Sequence, residues 1–218
     1  MKSIAMLGAV SALAAASVAS AGLSYSGSYD WNDGGTALGF YGSNVTLSNV
    51  VNPVFGGSNG SLQMTEDPLS GTPQAYVSWI TGLNDGDTIN VSMLGLGDGS
   101  TTGKIRLWAH YTTGDITTYG GSASGPSNFS TSATEWTMLS NTWTFDSDGG
   151  NRNGIVIEAR LYAYSANENP SGWVDDITVD VFSTSDDVVI NFPAPVPAPA
   201  ALAVLGLAGL AGGRRRRN

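Results

Sequence analysis

Between residues 22 and 192 the chain never sustains an apolar period long enough to build a helix. Clusters of Gly, Asn, Asp and Ser interrupt it repeatedly, among them Asn32-Asp33-Gly34-Gly35, Asn84-Asp85-Gly86-Asp87, Gly97-Asp98-Gly99-Ser100 and Asp146-Ser147-Asp148-Gly149-Gly150. Such residues reverse the backbone at low steric cost, so each cluster ends whatever element precedes it. Between the clusters run short segments that alternate apolar and polar residues: 61–66, 74–81, 88–94, 104–111, 136–139, 142–145, 154–164 and 173–182. Strands at this spacing predict an all-β domain, a single β-sandwich of jelly-roll-like topology over residues 22–192.

Alternation assigns each strand an inner and an outer face. Over 104–111, Ile105, Leu107, Ala109 and Tyr111 form one face, opposed by Lys104, Arg106, Trp108 and His110. Over 154–164, Ile155, Ile157, Ala159, Leu161 and Ala163 oppose Val156, Glu158, Arg160, Tyr162 and Tyr164. Ile89, Val91 and Met93 are a third inward row.

Composition then removes whole classes of function. With no cysteine, the chain has no disulfide scaffold, thiolate zinc site or cysteine nucleophile. All 18 acidic residues fall between Asp30 and Asp187, where the only basic residues are Lys104, Arg106, Arg152 and Arg160. A body so acidic repels phosphate backbones, which argues against nucleic-acid binding. Any Ser–His or metal–His chemistry would depend on His110, the one histidine, which the pattern places on a strand face.

The two ends read as addresses. Residues 1–21 combine Lys2, an apolar run over 4–18 and Ala19-Ser20-Ala21 before Gly22, the pattern of a secretory signal cut by signal peptidase after Ala21. At the other end Pro193, Pro195 and Pro197 stiffen a spacer over 193–197. Residues 198–218 follow: an uncharged stretch, then Arg214, Arg215, Arg216, Arg217 and Asn218. The uncharged stretch, residues 198–213, would reach roughly 24 Å as a helix, short of the roughly 30 Å hydrocarbon core. It predicts a short membrane helix with its arginines on the cytoplasmic side and the domain outside.

Val196, Pro197, Ala198, Pro199 and the apolar run closed by four arginines resemble the PEP-CTERM sorting tail recognised by exosortase. The family usually has Glu between the two prolines, where this chain has Ala198. The resemblance covers about residues 193–218. It implies a bacterial exported protein in transient contact with the inner membrane and processed by an exosortase-like membrane protease. Its destination would be the cell surface or the extracellular matrix.

Three places in the body invite a functional reading. The first is the outer row Arg106, Trp108, His110, Glu158, Arg160, Tyr162 and Tyr164. Aromatic rings stack on the C–H face of a pyranose and charged planar groups hold its hydroxyls, so the row is a candidate carbohydrate face. The same row also reads as ordinary cross-strand pairing. The second is Trp173-Val174-Asp175-Asp176-Ile177, in which Trp173, Asp175, Ile177, Val179 and Val181 share one parity and turn Asp175 inward. A buried carboxylate must be paired, hydrogen-bonded or metal-bound. This run resembles the last strand of jelly-roll carbohydrate-binding modules, where such an Asp helps hold a structural calcium ion. The resemblance implies Asp175 as a Ca²⁺ ligand, with Asp30, Asp33 or Glu66 as its partner. A carboxylate capped by hydrogen bonds is the alternative. The third is the loop Asp146-Ser147-Asp148-Gly149-Gly150-Asn151, which lacks the later EF-hand ligands and reads as a solvated turn.

These features converge on an exported, non-catalytic surface or matrix protein that associates with extracellular polysaccharide. The alternatives are a structural or adhesive protein whose sheet face contacts other proteins and, third, a glycan-active hydrolase.

Overall fold

The computed structural model describes residues 22–99, 103–162 and 169–194. The signal residues Ala19 and Ala21, Tyr164, and the tail residues Val196, Pro197, Ala198, Pro199, Arg214, Arg215, Arg216 and Arg217 lie outside them, as does the predicted C-terminal helix. Gly22 is described, exposed immediately before the first strand.

Among the described residues twelve strands form, in chain order β1 (Leu23–Tyr29), β2 (Gly39–Tyr41), β3 (Val45–Val51), β4 (Gly60–Glu66), β5 (Gln74–Thr81), β6 (Thr88–Gly97), β7 (Lys104–Thr112), β8 (Tyr119–Ser124), β9 (Thr137–Thr144), β10 (Gly154–Tyr162), β11 (Ser171–Ser183) and β12 (Val189–Asn191). They make two antiparallel six-stranded sheets. The first runs β3-β4-β11-β6-β9, with β1 also on β11; the second runs β12-β5-β10-β7-β8, with β2 also on β5. The sheets face each other as a jelly-roll sandwich, as the sequence predicts.

The predicted inward rows are the core. Ile105, Leu107 and Ala109 of β7, Ile155, Ile157, Ala159 and Leu161 of β10, and Ile89 and Met93 of β6 are fully buried. Each isoleucine, leucine or methionine side chain removed from water contributes about 1.5–3 kcal/mol, so these rows hold the sheets together. The sheets meet closely where β11 crosses β7. A Cβ on Gly172 would lie 2.5 Å from Ile105 Cδ1, which is why the smallest residue stands there.

Two details differ from the sequence reading. Runs 136–139 and 142–145 are one strand, β9, because Ser140 and Asn141 pair with Ser92 and Val91 of β6. In β11 the inward parity is not continuous. Val174 is buried and Trp173 is only half-buried, whereas Ile177, Val179 and Val181 are buried. Between Asp175 and Thr178 the register with β6 slips by one residue, and Asp176 adopts φ 46°. This bulge inverts the alternation, so Trp173 does not share a face with Ile177. It falls where one neighbour of β11 hands over to another: β4 pairs with residues 171–174 and β1 with 177–183.

Strands β1, β2, β3, β8 and β12 were not expected from alternation. β1 interleaves Ser and Gly with its tyrosines, β8 is Tyr-Gly-Gly-Ser-Ala-Ser, and β2 and β12 are three residues each. Pairing to a neighbouring strand forms them, with partial packing of Tyr25, Val45, Leu47 and Ile190 on the core rather than a fully buried stripe.

Candidate functional site

The outward residues of the second sheet make a continuous polar and aromatic face. β7 and β10 are direct neighbours, and their register sets Lys104 opposite Tyr162, Arg106 opposite Arg160, Trp108 opposite Glu158 and His110 opposite Val156. The two strands that carry the predicted row therefore share one sheet. β5 adds Tyr76 opposite Glu158 and Gln74 opposite Arg160, β2 adds Tyr41 opposite Gln74, and β8 sets Ser122 opposite His110.

The face has a buried layer and an exposed layer. Glu158 is wholly buried and His110 nearly so. One Glu158 oxygen meets His110 Nδ1, and the other accepts from Arg160 Nε at 2.5 Å. A buried carboxylate with both oxygens paired is held rather than offered. The sequence reading placed His110 and Glu158 among the sugar contacts. Burial instead makes them a brace beneath the surface that orients Arg160. Tyr76 packs edge-on against the His110 ring at 5.1 Å, and Tyr119 lies tilted at 5.5 Å on it. Burial raises the Tyr76 hydroxyl above its ordinary pKa; the Glu158 charge adds to this and Arg160 opposes it.

Above this brace opens a cleft of about 460 Å³ lined by Tyr41, Gln74, Tyr76, Thr117, Tyr119 and Arg160. Tyr41 and Tyr119 are each 64% exposed, so both rings are available to a ligand. Beside the cleft, Trp108 carries two guanidinium groups, Arg106 and Arg160, each 4.5 Å from its ring centroid. Arg106 Nε donates to the Pro126 carbonyl at 2.5 Å, and its guanidinium also lies 5.1 Å from Phe129. Tyr162 meets Phe129 edge-on at 5.2 Å. Trp108, Arg106 and Tyr162 thus form a packed flank, with Trp108 Nε1 donating to Ser122 Oγ at 3.2 Å.

Of the sequence-predicted residues, Arg160 alone lines the cleft; Tyr41, Gln74, Tyr76, Thr117 and Tyr119 were not anticipated. Gln74 and Tyr76 were legible, since they have the outward parity of a predicted strand. Tyr41 and Tyr119 sit on strands with no alternation to announce them.

Asp175 is fully buried at the β11 bulge. One oxygen accepts from Ser58 Oγ at 2.9 Å and Asp176 N at 2.8 Å; the other accepts from Ser58 N at 2.7 Å and Asn52 Nδ2 at 2.9 Å. Burial pushes its carboxyl up to about 6, against the pull of these hydrogen bonds. Three N–H donors hold the carboxylate, and the Ser58 hydroxyl shares its single proton among Asp175, the Asp30 carbonyl at 2.6 Å and the Gly60 carbonyl at 2.8 Å. As the side chains stand, the carboxylate is held by hydrogen bonds, the alternative to a calcium ligand. Asp175 instead ties the β3–β4 loop to β11. Among the described residues no three His, Asp or Glu side chains cluster as metal ligands. In the acidic loop, Asp146 accepts from Asp148 N at 2.9 Å and pairs with Arg152 at 2.6 Å. The Asp148 amide first, and then Arg152, hold its carboxyl below the usual range.

No family model matches the chain, and no curated protein sequence matches it. Solved structures do share its architecture. The CBM22-2 xylan-binding domain of Paenibacillus barcinonensis Xyn10C is 18% identical with a TM-score of 0.50, over 70% of this chain and 96% of that one. The CBM22-1–CBM22-2 tandem of the same protein is 16% identical with a TM-score of 0.50, over 79% of this chain. This chain spans 48% of that tandem. At such identities the likeness concerns the fold: this chain has the jelly-roll β-sandwich of carbohydrate-binding modules.

Proposed function

We propose that the chain is an exported, non-catalytic surface or matrix protein that holds polysaccharide in the cleft of its second sheet. The observation that carries this reading is the convergence of Tyr41, Tyr76 and Tyr119 with Gln74 and Arg160 around one open cleft. Stacking rings beside amide and guanidinium donors suit a sugar, whose rings are apolar on their faces and polar at their rims. The shared fold with a xylan-binding domain supports it further. Glu158 is the single carboxylate in the described strands of this sheet, and both its oxygens are engaged. The described strands of this sheet thus offer no free carboxylate of the kind glycoside hydrolysis uses.

Export rests on the sequence: the signal over residues 1–21, cut by signal peptidase, and the PEP-CTERM-like tail over 198–218, handled by an exosortase-like protease. Replacing Arg214, Arg215, Arg216 and Arg217 by neutral residues is expected to leave an unprocessed precursor, and normal processing of that variant would overturn the sorting assignment. The binding reading is tested by affinity electrophoresis of the full chain through xylan, mixed-linkage glucan and acidic polysaccharides. Retardation that disappears in the Tyr41→Ala, Tyr119→Ala double variant supports it; no retardation in any polymer overturns it.

The adhesive alternative draws on a different place. At the β3–β4 loop Phe55 is fully exposed and Val51 is 85% exposed. Such a tip suits contact with another protein.

A further inference from the structure

The two sheets divide the charge of the chain between them. Strands of the first sheet carry Glu66, Asp175, Asp176 and Asp180 and no lysine or arginine. Strands of the second carry Lys104, Arg106 and Arg160, with Glu158 as their one acid. Three of the four cations of an otherwise acidic body therefore stand on one sheet. They also stand together, because Arg106 and Arg160 are direct cross-strand partners and Lys104 follows Arg106 outward at the same end of β7.

Like charges directly opposite on a sheet destabilise it, so this pairing needs compensation. Glu158 compensates one guanidinium only, and it is shared with His110. Arg106 is tethered to the Pro126 carbonyl, which carries no net charge. Positive charge is left over on β7 and β10, while one exposed acid, Asp115, stands at the rim of the cleft, its Oδ1 accepting from the cleft-lining Thr117 Oγ1 at 2.7 Å. Arg160, 16% exposed, lines that cleft, and among the described residues its two Nη atoms meet no acceptor. Its Nε is fixed by Glu158, so the outward edge of the guanidinium presents a planar fork suited to an oxyanion.

We propose that the polysaccharide taken by this cleft is acidic: a uronic-acid-containing glycan whose carboxylate pairs with Arg160 while its rings lie against Tyr41 and Tyr119. This specifies the ligand class of the cleft and rests on the polysaccharide reading above. The chain as a whole carries a net charge of −9 and repels such a polymer at long range. Attraction is local, inside a partly dehydrated cleft.

The test is to titrate the full chain with polygalacturonate, alginate and glucuronoxylan, each beside its methyl-esterified counterpart, which loses the charge and gains one methyl group per carboxyl. The charged member of at least one pair is expected to bind about tenfold more tightly than its ester. That preference should vanish in Arg160→Gln and narrow with added salt. Esters bound as tightly as acids in every pair, or a preference that survives Arg160→Gln, overturns the proposal and leaves the polysaccharide reading standing. No binding to any member overturns both. Because Arg160→Gln leaves Glu158 with one partner fewer, its melting curve is recorded alongside. If that variant does not fold, Arg160→Lys decides, since it keeps the charge and removes the fork. An undiminished preference in Arg160→Lys overturns the proposal.

Discussion

The outer faces of the two sheets are built on the same core and share almost nothing else. On the first sheet the register stacks Ser26, Asp180, Asn90 and Thr142 in one row and Ser28, Thr178, Ser92 and Ser140 in the next. Its side chains satisfy one another: Ser26 Oγ donates to Asp180, and Thr142 Oγ1 donates to Asn90 at 2.8 Å. These rows carry no cation and no aromatic ring. The second sheet gathers the cations, with Trp108, Tyr76, Tyr41 and Tyr119 around them. Inward alternation fixes the sandwich and leaves the outward positions unconstrained, so one face can specialise without disturbing the fold. That is the physical reason the jelly roll suits a binding module, and why function here must be argued from a face and not from the fold.

The comparison breaks most sharply at Glu158. Glu158→Ala strips His110 and Arg160 of their common buried partner and is expected to lower stability by about 3–5 kcal/mol in denaturant unfolding. Asp180→Ala, an acid on the other face, should change it by less than about 0.5 kcal/mol. Equal losses would mean that Glu158 is no brace.

Binding separates the faces next. Tyr119→Ala is expected to weaken polysaccharide binding about tenfold in affinity electrophoresis, as the loss of an anchoring ring does. The double variant Ser92→Ala, Thr142→Ala on the first sheet should leave binding unchanged. Loss of binding in that double variant would move the site to the other sheet.

A smaller effect lies at the β11 bulge of the first sheet. Asp175 sits at about 6, above the ordinary 3.8, so between these values the folded chain binds more protons than the unfolded one. Stability from this group is present below about pH 4 and is lost as the pH rises through 6. Burial raises Glu66 and Asp176 in the same direction. The melting temperature is therefore expected to fall by a few degrees between pH 4 and pH 7, on the order of 1 kcal/mol. Asp175→Asn should flatten part of that slope, and an unchanged slope would show that Asp175 does not titrate in this range.

How far the sequence was legible depended on what each strand packs against. β7 and β10 lie centrally in the second sheet, so core packing imposes the two-residue period on them. Arg106, Trp108, His110, Glu158, Arg160 and Tyr162 all fell on the predicted face. β2 and β8 are edges formed by pairing alone, and their tyrosines were invisible. The β11 bulge hid a parity change because an extra residue in a strand leaves no mark in an apolar pattern. Burial was hidden as well: alternation turns His110 and Glu158 outward, but it is silent on whether neighbouring rings cover them.

The chain alone determined the class of fold, the inward rows and the surplus of acid, since turn chemistry and hydrophobic period act over a few residues. Only the tertiary structure decided which outward residues meet, that Glu158 lies under Arg160 and that Asp175 is capped by donors from a distant loop. Those outcomes depend on register between strands far apart in sequence, and register is set by the packing of the whole sandwich.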